Sequence, residues 1–506
     1  MNRSKLFRFR HGLVAPLSAL PLVDYATFST SLLAEVAGGA RVASYFGRPT
    51  AAGLELFAVL AHDWQGELAL LRSVVGTTFP SLTPDCPQLH LFERELAEQY
   101  GVLPEGHPWL KPVRFHRTWN GAADIWGRPA GERPVPGDME FYRVEGEAVH
   151  EVAVGPVHAG VIEPGHFRFQ CHGEEVMHLE ISLGYQHRGI EALLSGGPHP
   201  ATLMQIETAA GDTSIGHASA YCQLLESLAG VEAPERAYAL RAIALELERL
   251  ANHVGDIGAL AGDVGFLPTA SFCGRLRGDY LNLSAELCGS RFGRGLLRPG
   301  GVGFDLTPSH IEPFLQRLTV LEAETRGALD LCFDSPSVLA RFEGVGSVSV
   351  DDAEALGLVG VAAKASGLVR DVRLHHPFGI WEGGFDTPVI EVDGDVFSRG
   401  NVRRREVYAS IELIRKILKR LPAGAIKVEL PPLAADSLAV SLCEGWRGEV
   451  VHAAITDATG RFERYKIVDP SFHNWSGLAL ALRGEQISDF PLCNKSFNLS
   501  YCGVDL

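Results

Sequence analysis

A segment rich in glycine and proline, residues 119–138, divides the chain and constrains its architecture more than any other feature. It reads WNGAADIWGRPAGERPVPGD and has no helix or strand periodicity, so it predicts a linker or a long loop. A chain of 506 residues is longer than one average domain, which agrees with this division. We predict an N-terminal domain over residues 1–125, a linker over 126–150 and a second domain over 151–506.

The whole chain is predicted to be α+β, with a small α/β domain at its N-terminal end. Apolar runs at 54–62 and 67–75 are separated by Asp63 and Gly66, and they predict a pair of strands. The following segment, PQLHLFERELAEQYGV (87–102), predicts the end of a strand and then a helix.

The second domain is predicted to be mainly helical, with β-structure near both of its ends. Segment 167–185 alternates apolar and polar residues around a Gly-Glu turn, which predicts a β-hairpin. The final stretch, 449–475, predicts further strands around a glycine turn. Two apolar stripes at helical spacing predict long helices: Leu240, Ala244, Leu247, Ala251 and Val254, then Val407, Ile411, Ile414, Leu418 and Leu421.

Composition excludes several classes of protein. The formal net charge is −16, and an acidic chain repels phosphate backbones, so no nucleic-acid partner is predicted. No uncharged apolar run of 18 residues exists, so no transmembrane segment is predicted. The basic and then apolar N-terminus leaves a signal peptide as an alternative, although Pro16 and Pro21 interrupt its apolar run. Nine scattered cysteines without a CxxC pair favour a reducing cytoplasm over a disulfide framework.

Common catalytic motifs are absent from the sequence. It contains no GxxxxGK[ST] phosphate loop, no GxSxG elbow, no HExxH and no GxGxxG dinucleotide fingerprint. His375 and His376 are adjacent and would point in different directions on a strand, which makes them a poor pair of metal ligands. The loop GPVHAGVIEPGHFRF (155–169) is a better candidate site, because it places His158, Glu163 and His166 just before a strand.

Ordered motifs identify a resemblance to a known family. Segment 93–115, ERELAEQYGVLPEGHPWLKPVRF, resembles the signature of the 30 kDa subunit of respiratory complex I. The rest of the chain resembles the complex I 49 kDa subunit and the large subunit of group 4 nickel–iron hydrogenases. The stretches that carry this second resemblance occur in the family's order: GPVHAGVIEPGHFRF (155–169), LGYQHRGIEALL (183–194), LELERLANHVGDIG (245–258), LRPGGV (297–302), GDVFSRGNVRRREV (394–407), PAGAIKV (422–428), EGWRGE (444–449) and YKIVDPSFHNW (465–475). The fused arrangement is similar to hydrogenase-4 and formate-hydrogenlyase large subunits.

The resemblance implies a nickel–iron site whose thiolate ligands this sequence lacks. Nickel and iron are held by soft sulfur ligands from two Cys-x-x-Cys pairs. The first pair falls on TAAGDTSIGH (208–217), where Ala210 and Thr213 occupy the cysteine positions. The second pair falls on DPSFHN, where Ser471 and Asn474 occupy them. We therefore expect no metal and no other bound cofactor in this chain.

The complex I branch of the resemblance implies a quinone-like acceptor in the vacated cavity. Asp263 matches the acidic residue of the quinone site, whereas the tyrosine of that site aligns with Gly211. The site histidine has no clear match, and His158 and His166 flank its position. The cavity is expected to include His217, Ser471 and His473 as well. Two alternatives stay open: Asp263 as a helix-capping or turn residue, and His217 as a packed core histidine.

Two charged residues acquire roles from the resemblance. Glu163 resembles the glutamate that passes protons in the hydrogenases, and the competing interpretation is an ion pair with an arginine of 403–405. Arg188 matches the arginine beside the terminal iron–sulfur cluster of a neighbouring subunit, where a cation favours the reduced cluster. The competing interpretation makes Arg188 an ordinary surface residue.

The predicted function is that of a subunit of a membrane-associated, complex I-like oxidoreductase. It passes electrons from a partner's iron–sulfur cluster to a quinone and couples this transfer to proton translocation. The resemblance implies a small iron–sulfur subunit, a ferredoxin-like subunit and antiporter-like membrane subunits as partners, and a peripheral place on the cytoplasmic side of the inner membrane. NADH linkage follows from the resemblance alone. The alternative is a catalytically inactive scaffold that couples the peripheral arm to an ion-translocating membrane arm.

Overall fold

The computed structural model describes residues 6–160, 162–385 and 387–506, and it shows an α+β protein as predicted. The first part of the chain contains helices α1 (Tyr25–Ala37) and α2 (His90–Tyr100). Its strands are β1 (Phe7–Phe9), β2 (Val14–Pro16), β3 (Arg41–Thr50), β4 (Gly53–His62), β5 (Glu67–Val75), β6 (Thr78–Pro80) and β7 (Leu103–Glu105).

An antiparallel sheet in the order β1-β5-β4-β3 organises this first part. The predicted strand pair at 54–62 and 67–75 is confirmed as β4 and β5. Both faces of the sheet are covered, because α1 and α2 contact it and strands from the end of the chain lie against β3. This double burial explains why 54–62 reads as an almost continuous apolar run, since neither face needs polar residues.

The helix predicted within 87–102 is confirmed as α2, but the predicted strand end before it is wrong. Residues Pro87–Leu89 form a 3₁₀ turn that leads directly into the helix. Proline has no backbone N–H and its fixed φ suits the first turn of a helix, which explains this start. Helix α2 ends at Gly101, whose φ of 67° is readily adopted by glycine.

The second part of the chain begins with an antiparallel sheet in the order β10-β9-β8 and continues with helices. The predicted hairpin at 167–185 is confirmed as β9 and β10. The strands here are β8 (Val149–Val154), β9 (His166–His172), β10 (Glu175–Ser182), β11 (Leu297–Arg298) and β12 (Gly301–Val302). The helices up to residue 342 are α3 (Ile190–Leu193), α4 (Thr202–Ile206), α5 (Ser214–Ala229), α6 (Glu235–Asp263), α7 (Leu267–Cys288), α8 (Pro308–Phe333) and α9 (Pro336–Phe342).

The remaining elements complete the helical body and add a sheet. The helices are α10 (Val350–Ala355), α11 (Gly360–Ala365), α12 (Val372–His375), α13 (Val396–Lys419), α14 (Pro470–Ala481) and α15 (Phe490–Phe497). The strands are β13 (Ser437–Glu444), β14 (Glu449–Thr456) and β15 (Phe462–Val468). None of the helices in the described part of the chain has the length and apolar character needed to span a bilayer.

Both predicted apolar stripes are confirmed as helices at the centre of the second part. Helix α6 carries the first stripe and α13 the second, and the two helices contact each other. Leu240, Leu247 and Val254 are fully buried, as are Val407 and Ile411. Burial of each such side chain contributes about 1.5–3 kcal/mol, so these stripes hold the body together.

The predicted strands at 449–475 are confirmed only as far as Val468. Strands β14 and β15 pair antiparallel, and the chain then enters helix α14 at Pro470. Asp469 caps this helix by accepting a hydrogen bond from the backbone N–H of Ser471. The Asp-Pro-Ser sequence is therefore a helix start, and the prediction of a continued strand was wrong there.

The two parts of the chain share one sheet. Strand β2 pairs antiparallel with β13, which gives the order β15-β14-β13-β2. Between β7 and β8, residues 106–148 form turns and loops, and β8 begins one residue before the end of the predicted linker. The domain bounds 1–125, 126–150 and 151–506 stay a prediction. Strand β2, from the N-terminal part, belongs to the sheet that β13, β14 and β15 form in the second part.

Candidate functional site

An open cleft of about 440 Å³ brings three of the predicted site residues together. Glu163, Arg188 and Gly211 all line it. They come from the loop before β9, the loop after β10 and the loop before α5. Other lining residues include Tyr185, Gln186, His187, Thr208, Arg294 and Cys502. The cleft is thus polar, and its walls come from segments distant in sequence.

Arg188 is an exposed cation that is fixed in place by backbone oxygens. Its guanidinium donates to the carbonyls of Thr208 at 2.6 Å, Ala209 at 3.0 Å and Cys502 at 3.3 Å. Within the described residues, no carboxylate lies within ion-pair distance of Arg188. Neutral carbonyls orient the side chain but do not compensate its charge.

Glu163 lies half-buried in the cleft and contacts the end of the chain. Its carboxylate accepts a hydrogen bond from the backbone N–H of Tyr501 at 3.1 Å. The arginines at 403–405 pair with Asp256, Asp330 and Glu391, so the alternative ion pair to Glu163 is not formed. Burial and the neighbouring Glu163 carboxylate raise the pKa of the Cys502 thiol to about 11, which keeps Cys502 protonated.

The C-terminal segment, residues 498–506, forms one wall of the cleft, and no sequence motif assigned it to the site. The Asp505 carboxylate accepts hydrogen bonds from the backbone N–H groups of Gly184 at 2.8 Å and Gln186 at 2.9 Å. It therefore fixes the loop that carries Arg188. Burial raises the pKa of Asp505 to about 7. The apolar, nearly uncharged composition of SFNLSYCGVDL was the available signal that this segment is buried.

Arg447 also belongs to the site, although no sequence motif assigned it there. Its guanidinium makes a bidentate ion pair with Asp212, at 2.6 and 2.8 Å, and also donates to the Asn498 carbonyl. It stacks on the ring of Trp446 with a separation of 3.9 Å from the ring centroid. Arg447 thereby links the loop before α5 to the C-terminal segment, which makes it a positioning residue for both walls.

The histidines at 217 and 473 are buried beneath this region rather than lining the cleft. His217 on α5 contacts His452 and Asp469, each at 3.1 Å. Its full burial and two partners match the alternative of a packed core histidine. His473 lies against the ring of Phe92, and burial lowers its pKa to about 3, so it is neutral.

His158, His166 and Asp263 occupy two other environments. His158 and His166 contact backbone carbonyls of their own loop, at 2.8 and 3.3 Å, and Val161 between them lies outside the described residues. Asp263 is the last residue of α6, and its carboxylate pairs with Lys495 at 2.5 Å. It is therefore not a helix N-cap. It does not line the cleft with Glu163 and Arg188.

Comparison with known proteins gives the context of this site. A family model described as the respiratory-chain NADH dehydrogenase 49 Kd subunit matches residues 263–439, and one described as the 30 Kd subunit matches residues 38–124. The carbon monoxide-induced hydrogenase of Rhodospirillum rubrum is 33% identical over 353 residues, which make up 69% of this chain and 98% of that protein. This chain belongs to the complex I 49 kDa and hydrogenase large-subunit family.

Two further relatives match over most of the length of this complex I-like chain. Formate hydrogenlyase subunit 5 of Escherichia coli is 30% identical over 439 residues, 84% of this chain and 77% of the relative. The C/D subunit of the NADH-quinone oxidoreductase of Bacteroides fragilis is 28% identical over 381 residues, 71% of this chain and 72% of the relative. The predicted resemblance to both branches is confirmed, and the chain is of the oxidoreductase-subunit type.

The nickel–iron centre of the hydrogenase branch does not fit the residues of this complex I-like chain. Ala210 has no donor atom, and the Thr213 hydroxyl is a hard oxygen that Arg447 contacts at 3.3 Å. The amide of Asn474 binds the backbone N–H and carbonyl of Val359. None of these groups supplies the soft thiolates that nickel and iron require.

Ser471 does lie close to the cleft wall, through the C-terminal segment. Its hydroxyl accepts a hydrogen bond from the backbone N–H of Ser500 at 2.8 Å. The Ser500 hydroxyl in turn accepts from the N–H of Gly503. Within the described residues, no group of three or more His, Cys, Asp or Glu side chains has the arrangement of a metal site. Residues 500–503 therefore separate Ser471 from the cleft, which Cys502 and Gly211 line.

Proposed function

We propose that this chain passes electrons from an iron–sulfur cluster of a partner to a quinone-like acceptor, coupled to proton translocation. As a member of its family, the chain is a subunit of a membrane-associated, complex I-like oxidoreductase. The observation that carries the proposal is the cleft in which Arg188, Glu163 and Gly211 meet. Hydrogen activation is not part of this proposal, because the ligand positions hold no thiolate.

The chemistry assigned to the chain's own residues is electrostatic and acid–base. The fixed charge of Arg188 stabilises an added electron on a nearby cluster, because a cation lowers the energy of the reduced, more negative state. Glu163, half-buried beside the C-terminal segment, exchanges a proton with a group in the cleft. Gln186 and His187 line the same cleft beside Arg188.

The proposed partners follow from the relatives. They are a small iron–sulfur subunit, a ferredoxin-like subunit and antiporter-like membrane subunits, with the chain placed peripherally on the cytoplasmic side of the membrane. The proposed donor is NADH or another low-potential reductant acting through those partners. The family relationship to NADH-quinone oxidoreductase and hydrogenase subunits supports this assignment.

A second candidate function is that of a catalytically inactive coupling scaffold. One observation favours it: Ser471, Thr213 and Asn474 are held in hydrogen bonds within the chain, so the former metal region is filled. Acceptor reduction by the assembled complex distinguishes the two functions. Loss of quinone reduction in Glu163→Gln, with normal assembly, supports the electron-transfer role, whereas unchanged reduction favours the scaffold.

Redox titration of the partner's cluster tests the placement of Arg188. Arg188→Met should lower the midpoint potential by about 40 mV, which corresponds to about 1 kcal/mol of lost electrostatic stabilisation of the reduced cluster. The measurement is electron paramagnetic resonance of the assembled wild-type and variant complexes. Arg275→Met, the same change at an exposed position on α7, is the matched control. An unchanged midpoint with normal assembly would remove Arg188 from the cluster's surroundings.

A further inference from the structure

A buried group of charged side chains, here called the core cluster, lies where α6, α11, α12, α13 and β13 meet. Its cations are Arg249, Lys364 and Arg373, and its carboxylates are Glu246, Asp371, Glu406 and Glu444. None of the seven side chains is more than 6% exposed. Charges removed from water to this extent must compensate each other closely, because uncompensated ones carry a large desolvation penalty.

Lys364 is the centre of the core cluster. Its ammonium group donates to Asp371 at 2.8 Å, to Glu406 at 2.8 Å and to Glu444 at 3.1 Å. Arg373 extends the cluster, because it pairs with Asp371 at 2.8 Å and with Glu246 at 2.9 Å. Lys364 therefore contacts three carboxylates, and Arg373 contacts one of the same three, Asp371.

Arg249 completes the set of cations. It pairs with Glu246 at 3.1 Å and lies 3.7 Å from Glu406, while its remaining N–H groups donate to backbone carbonyls. His253 also contacts Glu406, at 2.7 Å, but burial lowers the pKa of His253 to about 4. It is a neutral hydrogen-bond donor at neutral pH and adds no charge.

Other charged groups around the core cluster are compensated separately or are neutral. Arg403 pairs with Asp256 at 2.8 Å, and Arg241 pairs with Glu226. Cys443, next to Glu444 on β13, stays a thiol because burial raises its pKa to about 12. The core cluster therefore has three permanent cations and four carboxylates, which leaves one negative charge in excess.

We infer that the core cluster binds one exchangeable proton at neutral pH and that Glu444 carries it. A proton on one carboxyl makes the seven charges sum to zero, which removes the penalty of an uncompensated buried charge. Glu444 is the member with the weakest compensation: one oxygen is 3.1 Å from Lys364 and the other accepts only the backbone N–H of Val372, at 3.0 Å. This assignment goes beyond the proposed function and rests on none of its steps.

The titration behaviour of the four carboxyls agrees with the charge count. Burial, followed by the nearby Asp371 carboxylate, raises the pKa of Glu444 to about 7. Burial also acts on Glu406, but Lys364, His253 and Arg249 outweigh it and hold its pKa well below the usual range. The pKa of Asp371 and that of Glu246 are likewise lowered, because their cations outweigh burial.

Solvent reaches the core cluster through a second, narrow cleft of about 40 Å³, which has room for a few water molecules. Glu444 and Arg373 line this cleft together with Tyr238, His376 and Phe378. The proton can therefore move between water in this cleft and a carboxyl oxygen of Glu444 without any other group changing charge. Glu444 also precedes Arg447 by three residues, so the proton-binding site adjoins the segment that positions the walls of the first cleft.

Infrared difference spectroscopy of the full-length chain tests this inference. The C=O stretch of protonated carboxylic acids is followed from about pH 5 to about pH 9, in water and in deuterium oxide. Wild type should lose more than one such band over this range, because burial also raises the pKa of Asp256 to about 6, that of Asp505 to about 7 and that of Glu248 to about 8. The band assigned to Glu444 is the one with a midpoint near pH 7 that is absent from Glu444→Gln. Glu406→Gln brings the cluster to three cations and three carboxylates, so the band's midpoint should fall by about one pH unit or more.

The matched control is Glu248→Gln, two residues from Glu246 on α6. The Glu248 carboxylate lies outside the cluster and accepts from the backbone N–H groups of Ile215 and Gly216. This variant should lose a different band, because burial raises the pKa of Glu248 to about 8, and should leave the Glu444 band unchanged. An unchanged spectrum in Glu444→Gln, or an unmoved midpoint in Glu406→Gln, overturns the inference. Glu246→Gln makes the same charge change if Glu406→Gln does not fold.

Discussion

The core cluster has a counterpart at the junction of the two parts of the chain, and the two differ in their charge count. In this interface cluster, Lys466 pairs with Glu95 at 2.6 Å and Glu191 at 3.1 Å, and Arg464 pairs with Glu191 at 3.0 Å. Arg114 also pairs with Glu95. Glu98 belongs to the same cluster, because it accepts the backbone N–H groups of residues 113–115. The interface cluster thus has three cations and three carboxylates: Arg114, Arg464 and Lys466, and Glu95, Glu98 and Glu191.

The different charge counts distinguish a cluster that only stabilises the fold from one that binds and releases a proton. In the interface cluster, burial of Glu191 is outweighed by Lys466, Arg464 and Arg114, which hold its pKa well below the usual range. Glu191 therefore stays ionised, and the contacts of Lys466 with Glu95 and Glu191 fix α2 and α3 to β15. In the core cluster, the excess carboxylate has no cation of its own and binds a proton instead. Burial is similar in both places, so the charge count decides which cluster responds to pH.

Removal of the central lysine from each cluster should give the largest effects. Lys364→Met leaves two cations for four carboxylates and should destabilise the chain by about 5 kcal/mol, while Lys466→Met should cost about 3 kcal/mol. Urea unfolding followed by circular dichroism measures both. Lys419→Met, an exposed lysine at the end of α13, is the control and should change little. A smaller loss for Lys364→Met than for Lys466→Met would contradict the different charge counts.

Replacement of one glutamate by glutamine should change the unfolding free energy by different amounts in the two clusters. At about pH 5, Glu444 already carries its proton, so Glu444→Gln should cost less than about 1 kcal/mol. Glu191→Gln leaves Lys466 and Arg464 without their shared partner and should cost about 3 kcal/mol. Equal losses of unfolding free energy in the two variants would show that both carboxyls are ionised in the folded chain.

The pH dependence of stability should differ between wild type and Glu444→Gln. The pKa of Glu444 is about 7 when folded, against 4.5 for a free glutamate, so the folded chain binds this proton more tightly than the unfolded chain. Its contribution is complete below about pH 4.5 and decreases as pH rises, by about 3 kcal/mol up to pH 7. Unfolding free energies of wild type relative to the variant should show this decline. A constant difference across that range would argue against the bound proton.

The smallest expected effect on stability comes from Arg188, which belongs to neither cluster. Its side chain is exposed and donates only to neutral carbonyls, so Arg188→Met should change the unfolding free energy by less than about 1 kcal/mol. Thermal unfolding of the isolated chain measures this. A loss as large as that of Lys466→Met would mean that Arg188 supports the fold and is not reserved for a partner.

Elements with a clear period could be predicted from the sequence. The hairpin at 167–185 follows from alternation, and α6 and α13 follow from their apolar stripes, because one buried face imposes the spacing. The predictions at Pro87 and Pro470 were wrong, since both residues begin helical turns where a strand was expected. Proline at the first helical position was the local signal in both cases.

The candidate site was only partly predictable. Arg188, Glu163 and Gly211 were found through motifs, and they do line one cleft. The C-terminal wall was missed, because Asp505 reaches Gly184 across 321 positions and no local pattern shows that contact. The core cluster was missed for the same reason. A sequence shows how many lysines and glutamates a chain has, but not which of them share a buried space.

The pairing of β2 with β13 has a consequence for any attempt to divide this protein. A second part expressed alone would expose the edge of β13, where the backbone carbonyls of Asp436 and Val440 accept the N–H groups of Leu17 and Gly12 in the intact chain. An uncovered strand edge is a template for pairing with other molecules. Two fragments cut at residues 126–150 should therefore stay soluble only when they are made together in one cell, where the N-terminal fragment supplies the missing strand during synthesis.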